Sequence, residues 1–89
     1  MVQNINNNLE KKLNKFIGKN VIIIQDGFLK SEYSIHKLNY FIKYEILNII
    51  DKESNNYLKI NLNQIYKIEN NEKEIRLYLD NDTIICLTI

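Results

Sequence analysis

The chain has one cysteine, one histidine, one arginine, two glycines and no proline, tryptophan or alanine. Each shortage removes a class of chemistry. Cys86 alone cannot form an intramolecular disulfide, and inside a strand-like run it is expected to act as a small buried hydrophobe. His36 is the only side chain whose ordinary titration suits general acid–base work near neutral pH. With no second histidine, no companion cysteine nearby and no nucleophile motif, it reads as a surface or partly packed residue, and no catalytic residue is assigned. Zinc needs clustered Cys and His ligands, which are missing. Asp80-Asn81-Asp82 begins like a calcium loop but lacks its glycine, so it reads as a hairpin turn. Gly18 and Gly27 are too few for a phosphate-cradling loop. Nothing in the spacing of Asp26, Glu32, Glu45 and Asp51 sets two carboxylates apart as a hydrolytic pair. The expectation is a protein that is not an enzyme and carries neither metal nor cofactor.

Long apolar runs are also missing. No run exceeds the length of Val21 to Ile24, far short of the roughly 18 to 20 residues that cross a bilayer, and no charged leader precedes an apolar segment. A cytoplasmic protein with no membrane partner is expected. Lysine outnumbers arginine eleven to one, and 15 residues are asparagine. Together with the missing alanine, tryptophan and proline, this bias follows the codons of a low-GC genome, so the Asn6, Asn7, Asn8 cluster carries little functional weight.

What remains is rich in strand formers. The 17 isoleucines suit a β-rich core, because β-branched side chains pack well on a pleated surface. At 89 residues the chain suits a single domain over 1–89, which buries only roughly 60 to 65% of the surface its unfolded form exposes. Ile5, Leu9, Leu13, Phe16 and Ile17 recur at helical spacing and predict an N-terminal helix within 1–18, starting between Asn4 and Asn8 and closed by Gly18. Asn7 and Glu10 resemble a capping pair at its start. Lys11, Lys12, Lys15 and Lys19 fall on its opposite side.

Residues 19–89 read as β-rich. Lys19 to Gln25 is a strand with an apolar centre, and Asp26-Gly27 is a turn. Phe28 to Tyr40 fits neither period and is expected to be irregular. Phe41 to Ile50 fits two readings: Leu38, Ile42, Ile46, Ile49 and Ile50 would line a helix, while Tyr40, Ile42, Tyr44 and Ile46 alternate as a strand. One strand is favoured, because aromatic and β-branched residues dominate it, and the polar stretch Asp51 to Asn56 turns it into the next. From Tyr57 onward apolar and polar residues alternate: Leu58, Ile60 and Leu62, then Ile75, Leu77 and Leu79, then Ile85, Leu87 and Ile89. A phase change at Asn63 and Gln64 predicts a bulge or tight corner.

A helix running into Ile17-Gly18-Lys19-Asn20-Val21-Ile22-Ile23-Ile24, then short antiparallel strands with a late Leu62 to Ile68 corner, resembles small SH3-like barrels of the Sm-like kind. The fold class expected is therefore mainly β (α+β), with the helix followed by a five-strand SH3-like/Sm-like antiparallel barrel or strongly bent sheet. That family implies a ring-forming, RNA-binding barrel. Its RNA-contacting stretches, Asp-x-x-Met-Asn or Asp-x-x-Phe-Asn and a later Arg-Gly step, have no counterpart in this chain.

Charge is unevenly distributed. Residues 1–44 carry seven lysines and three acids, a balance of +4, and residues 45–89 carry five basic and eight acidic residues, a balance of −3. Such polarity steers partners even when net charge is small. Two functions follow as expectations. One is a protein-interaction module, working through strand edges with a partner protein or with itself as a homo-oligomer, as an accessory or mobile-element regulator would. The alternative is weakly sequence-specific binding of RNA or single-stranded DNA by the basic half. There Lys11, Lys12, Lys15, Lys19, Lys30, Lys37 and Lys43 would meet phosphates, and Tyr33, Tyr40 and Tyr44 would stack on bases. Weak specificity is expected because base-edge readout favours arginine, and Arg76 lies in the acidic half.

Overall fold

A computed structural model describes the backbone of residues 2–89 and the side chains from residue 8 onward. The chain runs through helix α1 (Val2–Asn14) and strands β1 (Val21–Asp26), β2 (Lys30–Ile35), β3 (Asn39–Lys43), β4 (Ile46–Ile50) and β5 (Tyr57–Asn61). A single 3₁₀ turn (Leu62–Gln64) follows, then β6 (Ile65–Asn70), β7 (Glu74–Leu79) and β8 (Ile84–Thr88). The protein is mainly β, with one short helix and antiparallel pairing throughout.

The helix begins earlier than expected, so Asn7 falls inside it and not at its cap. The side chains of Ile5 and Asn7 lie outside the described residues. Leu9, Leu13 and Phe16 are buried as the spacing predicts, whereas Ile17 is exposed. After Asn14 the backbone tightens through Lys15 N–H to Lys12 O (3.1 Å) and Phe16 N–H to Leu13 O (2.8 Å). Gly18 closes the turn at φ 81°, a conformation that glycine adopts without steric cost. Its N–H donates to Leu38 O at 2.8 Å, and Leu38 N–H donates to Lys19 O at 2.9 Å. These two bonds tie the helix exit to the β2–β3 connection.

The strands form a five-stranded sheet in the order β2-β1-β8-β7-β6 and a three-stranded sheet in the order β3-β4-β5. Each sheet keeps two free edges, so the chain does not close into the barrel expected. Eight strands replace the five expected: the corner near Asn63 separates β5 from β6, and two further strands arise where none or one was read. Phe28 to Tyr40, expected to be irregular, holds β2 and the start of β3; as an edge strand β2 buries little, and only Ile35 of its six residues is buried. Such an edge shows a weak apolar period. Phe41 to Ile50, read as one strand, breaks at Tyr44 and Glu45, a two-residue hairpin with both φ positive (53° and 61°). That turn normally announces itself with Asn-Gly, and here no such signal exists.

The phase change at Asn63 and Gln64 is the 3₁₀ turn, followed by a register shift between Ile65 and Lys67 in the β6–β7 pair. One core draws on the helix and both sheets, with Leu9, Leu13, Ile23, Leu47, Ile49, Leu77 and Leu87 among its fully buried side chains. Each such side chain contributes about 1.5–3 kcal/mol over leaving it in water. Cys86 departs from its expected place: Ile85 and Leu87 point into the core, and Cys86, between them, is only half-buried on the outer face of β8. Its position follows from the two-residue period, which sends alternate side chains to opposite faces.

Candidate binding surfaces

Two free edges belong to the large sheet, β2 and β6, and two to the small one, β3 and β5. Helix α1 occupies one side of this arrangement. It packs against the 3₁₀ turn and β6, and on β3 the Tyr40 hydroxyl donates to Asn14 Oδ1 at 2.7 Å and lies 3.4 Å from Glu10 Oε1. Burial, and then the Glu10 carboxylate, push the Tyr40 hydroxyl pKa above its ordinary value. The seam between β3 and β6 is thereby covered.

The seam between β2 and β5 is not. Between these edges lies a cleft of about 290 Å³ lined mainly by Ile23, Tyr33, Ile35, Tyr57 and Leu58. Tyr33 pairs with Ile23 and so faces inward, yet its edge position leaves it 41% exposed. Asp51 also lines the cleft. Its Oδ1 accepts from Glu53 N–H (2.8 Å) and Ser54 N–H (3.1 Å), and its Oδ2 is 3.3 Å from His36 Nδ1. Burial alone would raise the Asp51 pKa. The Glu53 and Ser54 amides, with help from His36, outweigh it and hold the carboxyl at about 2. Because Asp51 is committed to these amides and Lys52 N–H donates to His36 O at 3.1 Å, the His36–Asp51 pair ties the β4–β5 turn to the end of β2. Among the described residues, no hydroxyl hydrogen-bonds the His36 ring and no group of ligands could hold a metal ion.

A second surface lies on the outer face of the small sheet. Leu47 and Ile49 are fully buried in the core, so strand alternation sends Ile46, Asn48 and Ile50 to the opposite face, where Asn48, flanked in register by Phe41 and Lys59, is itself buried. The register then puts Phe41 and Lys43 of β3, and Tyr57 and Lys59 of β5, on the same face. Phe41, Tyr44 and Tyr57 are 47%, 87% and 62% exposed. Lys43 Nζ lies 5.3 Å from the Tyr44 ring centre and Lys59 Nζ 5.5 Å from that of Tyr57. A hollow of about 330 Å³ opens between Phe41, Lys43, Tyr44 and Lys59.

The structure spreads the basic residues picked out from the sequence over several surfaces. Lys11, Lys15 and Lys19 are exposed on and just after the helix, and Lys12 is half-buried. Lys12 and Lys15 flank a separate hollow with Glu72. Lys30 pairs in register with Asp26 on the β2 edge, and Lys37 faces Glu53 at 4.0 Å. Tyr33 sits in the seam, Tyr40 is engaged by the helix, and only Lys43 and Tyr44 come together. Sequence reasoning missed Phe41, Tyr57 and Lys59. The alternation that marks Leu58 and Ile60 as buried also marks Tyr57 and Lys59 as outward, but which strands would lie beside them was not readable. No helix among the described residues is long and apolar enough to cross a membrane. Comparison with known proteins returns no match, whether to a family model, to a curated protein or to a solved structure.

Proposed function

We propose that the protein is a non-enzymatic binding module that receives an extended segment of a partner protein at the seam between β2 and β5. The observation that carries this is the asymmetry of the two seams: α1 covers one, and the other presents two free strand edges around an apolar cleft. A free edge offers a row of backbone donors and acceptors, and a cleft beside it sorts partners by side chain. At about 290 Å³ the cleft sits at the small end of ligand pockets, which suits an anchoring side chain better than a cofactor. A partner strand reaching both edges would join the two sheets, completing a barrel of the SH3-like or Sm-like kind that the sequence resembles. Such a module regulates a larger protein by occupying it.

The test is selection from a displayed library of random peptides, followed by hydrogen exchange on the complex. Selected peptides should slow exchange at the β2 and β5 amides and lose affinity for Tyr33→Ala. Failure to enrich any peptide, or protection confined to other strands, refutes the proposal. Light scattering at high concentration adds the self-association case: a dimer protected at β2 and β5 would make the partner a second copy of this chain.

A further inference from the structure

We infer that the outer face of the β3-β4-β5 sheet is a second binding surface, meeting the seam only at Tyr57, and that its ligand is single-stranded nucleic acid. Three aromatic rings, Phe41, Tyr44 and Tyr57, stand exposed along one side of this small sheet. Water is a poor neighbour for such rings, and soluble proteins keep grouped exposed aromatics mainly where something binds. The charge beside them decides what binds. The outward positions of the three strands carry Lys43 and Lys59 and no carboxylate. Glu45 carries a negative charge next to Tyr44, but it lies in the hairpin outside these strand positions, and its carboxylate accepts from Asn63 Nδ2 of the 3₁₀ turn at 2.6 Å. The face is therefore cationic as well as aromatic.

A protein ligand would account for the aromatics and not for the lysines, because lysine is depleted from protein–protein interfaces. A polyanion with flat, apolar bases accounts for both: the rings give stacking platforms and the ammonium groups meet the phosphates. Bases inside a duplex have no free faces to stack, so the ligand is single-stranded. With no arginine on the face, the surface reads little sequence.

The backbone supports the same reading. Tyr44 is held at φ 53°, a left-handed conformation that a bulky side chain pays for, and strain of this kind gathers at functional sites. The hairpin is pinned by Leu62 N–H to Glu45 O at 2.9 Å. The Tyr44 ring is thus presented at the sheet's end and not packed into the core.

The experiment is fluorescence anisotropy with labelled oligo(dT) and oligo(U) of about 12 nucleotides, a length within the usual site sizes of single-strand binders. A blunt duplex of equal length is the control, at about 50 mM salt, where phosphate contacts are screened less than at physiological ionic strength. Binding to at least one single strand in preference to the duplex is expected, and the preferred oligomer tells DNA from RNA. Phe41→Ala and Tyr44→Ala should each weaken binding by roughly 5- to 150-fold, the equivalent of about 1–3 kcal/mol per stacked base. Tyr44→Phe should restore it. Lys43→Gln with Lys59→Gln should lower the slope of log affinity against log salt by about 1.4, the share of two phosphate contacts on a single strand. Tyr33→Ala, in the seam, should leave oligonucleotide binding unchanged, so that failure of the seam proposal and failure of this one are told apart. No binding by a folded protein, equal binding to duplex, or wild-type affinity in the Phe41 and Tyr44 variants would each overturn the inference. So would a selected peptide whose binding depends on Phe41 and Tyr44, which would give the face to a protein.

Discussion

Replacing Tyr44 with asparagine should make the protein more stable while weakening its hold on single strands. Tyr44 sits in the left-handed region at φ 53°, where an ordinary L-residue costs roughly 1–2 kcal/mol and asparagine much less. The relief is worth about 1 kcal/mol. Against it stands the ring's interaction with Lys43 at 5.3 Å, which at an exposed site is worth roughly 0.5–1 kcal/mol. Little burial is lost, since the residue is 87% exposed. The balance is a gain of about 0.5 kcal/mol or less, and for a domain of this size a full 0.5 kcal/mol would raise Tm by about 2–4 °C. Urea unfolding followed by circular dichroism measures the change in midpoint, with an unchanged slope certifying that the transition itself is unaltered. Oligonucleotide anisotropy on the same sample measures function. Destabilisation by more than about 1 kcal/mol would refute the reasoning, because the ring would then be contributing packing that its exposure denies. Gain of stability with loss of binding is the pattern of a residue kept for function at a conformational cost.

Other consequences can be measured on the same material. Gly18→Ala should cost about 1–2 kcal/mol by urea unfolding, since a Cβ there meets no neighbour within 4 Å but the backbone remains at φ 81°. A neutral result would mean that the turn relaxes freely. Leu77→Ala, at a fully buried position, should cost about 2–5 kcal/mol through lost burial and the cavity left behind. Stability should also fall in acid. The Asp51 carboxyl is held at about 2, below its ordinary 3.8, so its contribution is complete above about pH 4 and drains away as pH falls through 2. Asp51→Asn should therefore be destabilised at neutral pH, and its gap from the parent should close between pH 4 and 2. Unfolding midpoints across that range test this, and a gap that stays constant contradicts it. Glu69, lowered by the Tyr78 hydroxyl, adds acid sensitivity of the same sign to both proteins and leaves their difference alone.

The β-rich class, the buried Leu9–Leu13–Phe16 stripe, the corner near Asn63 and the role of Gly18 were legible in the residues themselves. Each rests on local rules: the periods 3.6 and 2, and the left-handed turn that glycine permits. The hairpin at Tyr44 and Glu45 was hidden because its residues contradict the turn they adopt, and β2 was hidden because an edge strand needs few apolar positions. Pairing between strands distant in the chain was not readable at all. That pairing separates β2 from β5 around an open seam, sends α1 to the opposite side, and puts Phe41, Lys43, Tyr57 and Lys59 on one face. Alternation says that a side chain leaves the core, but only the register of neighbouring strands decides which other side chains it meets outside.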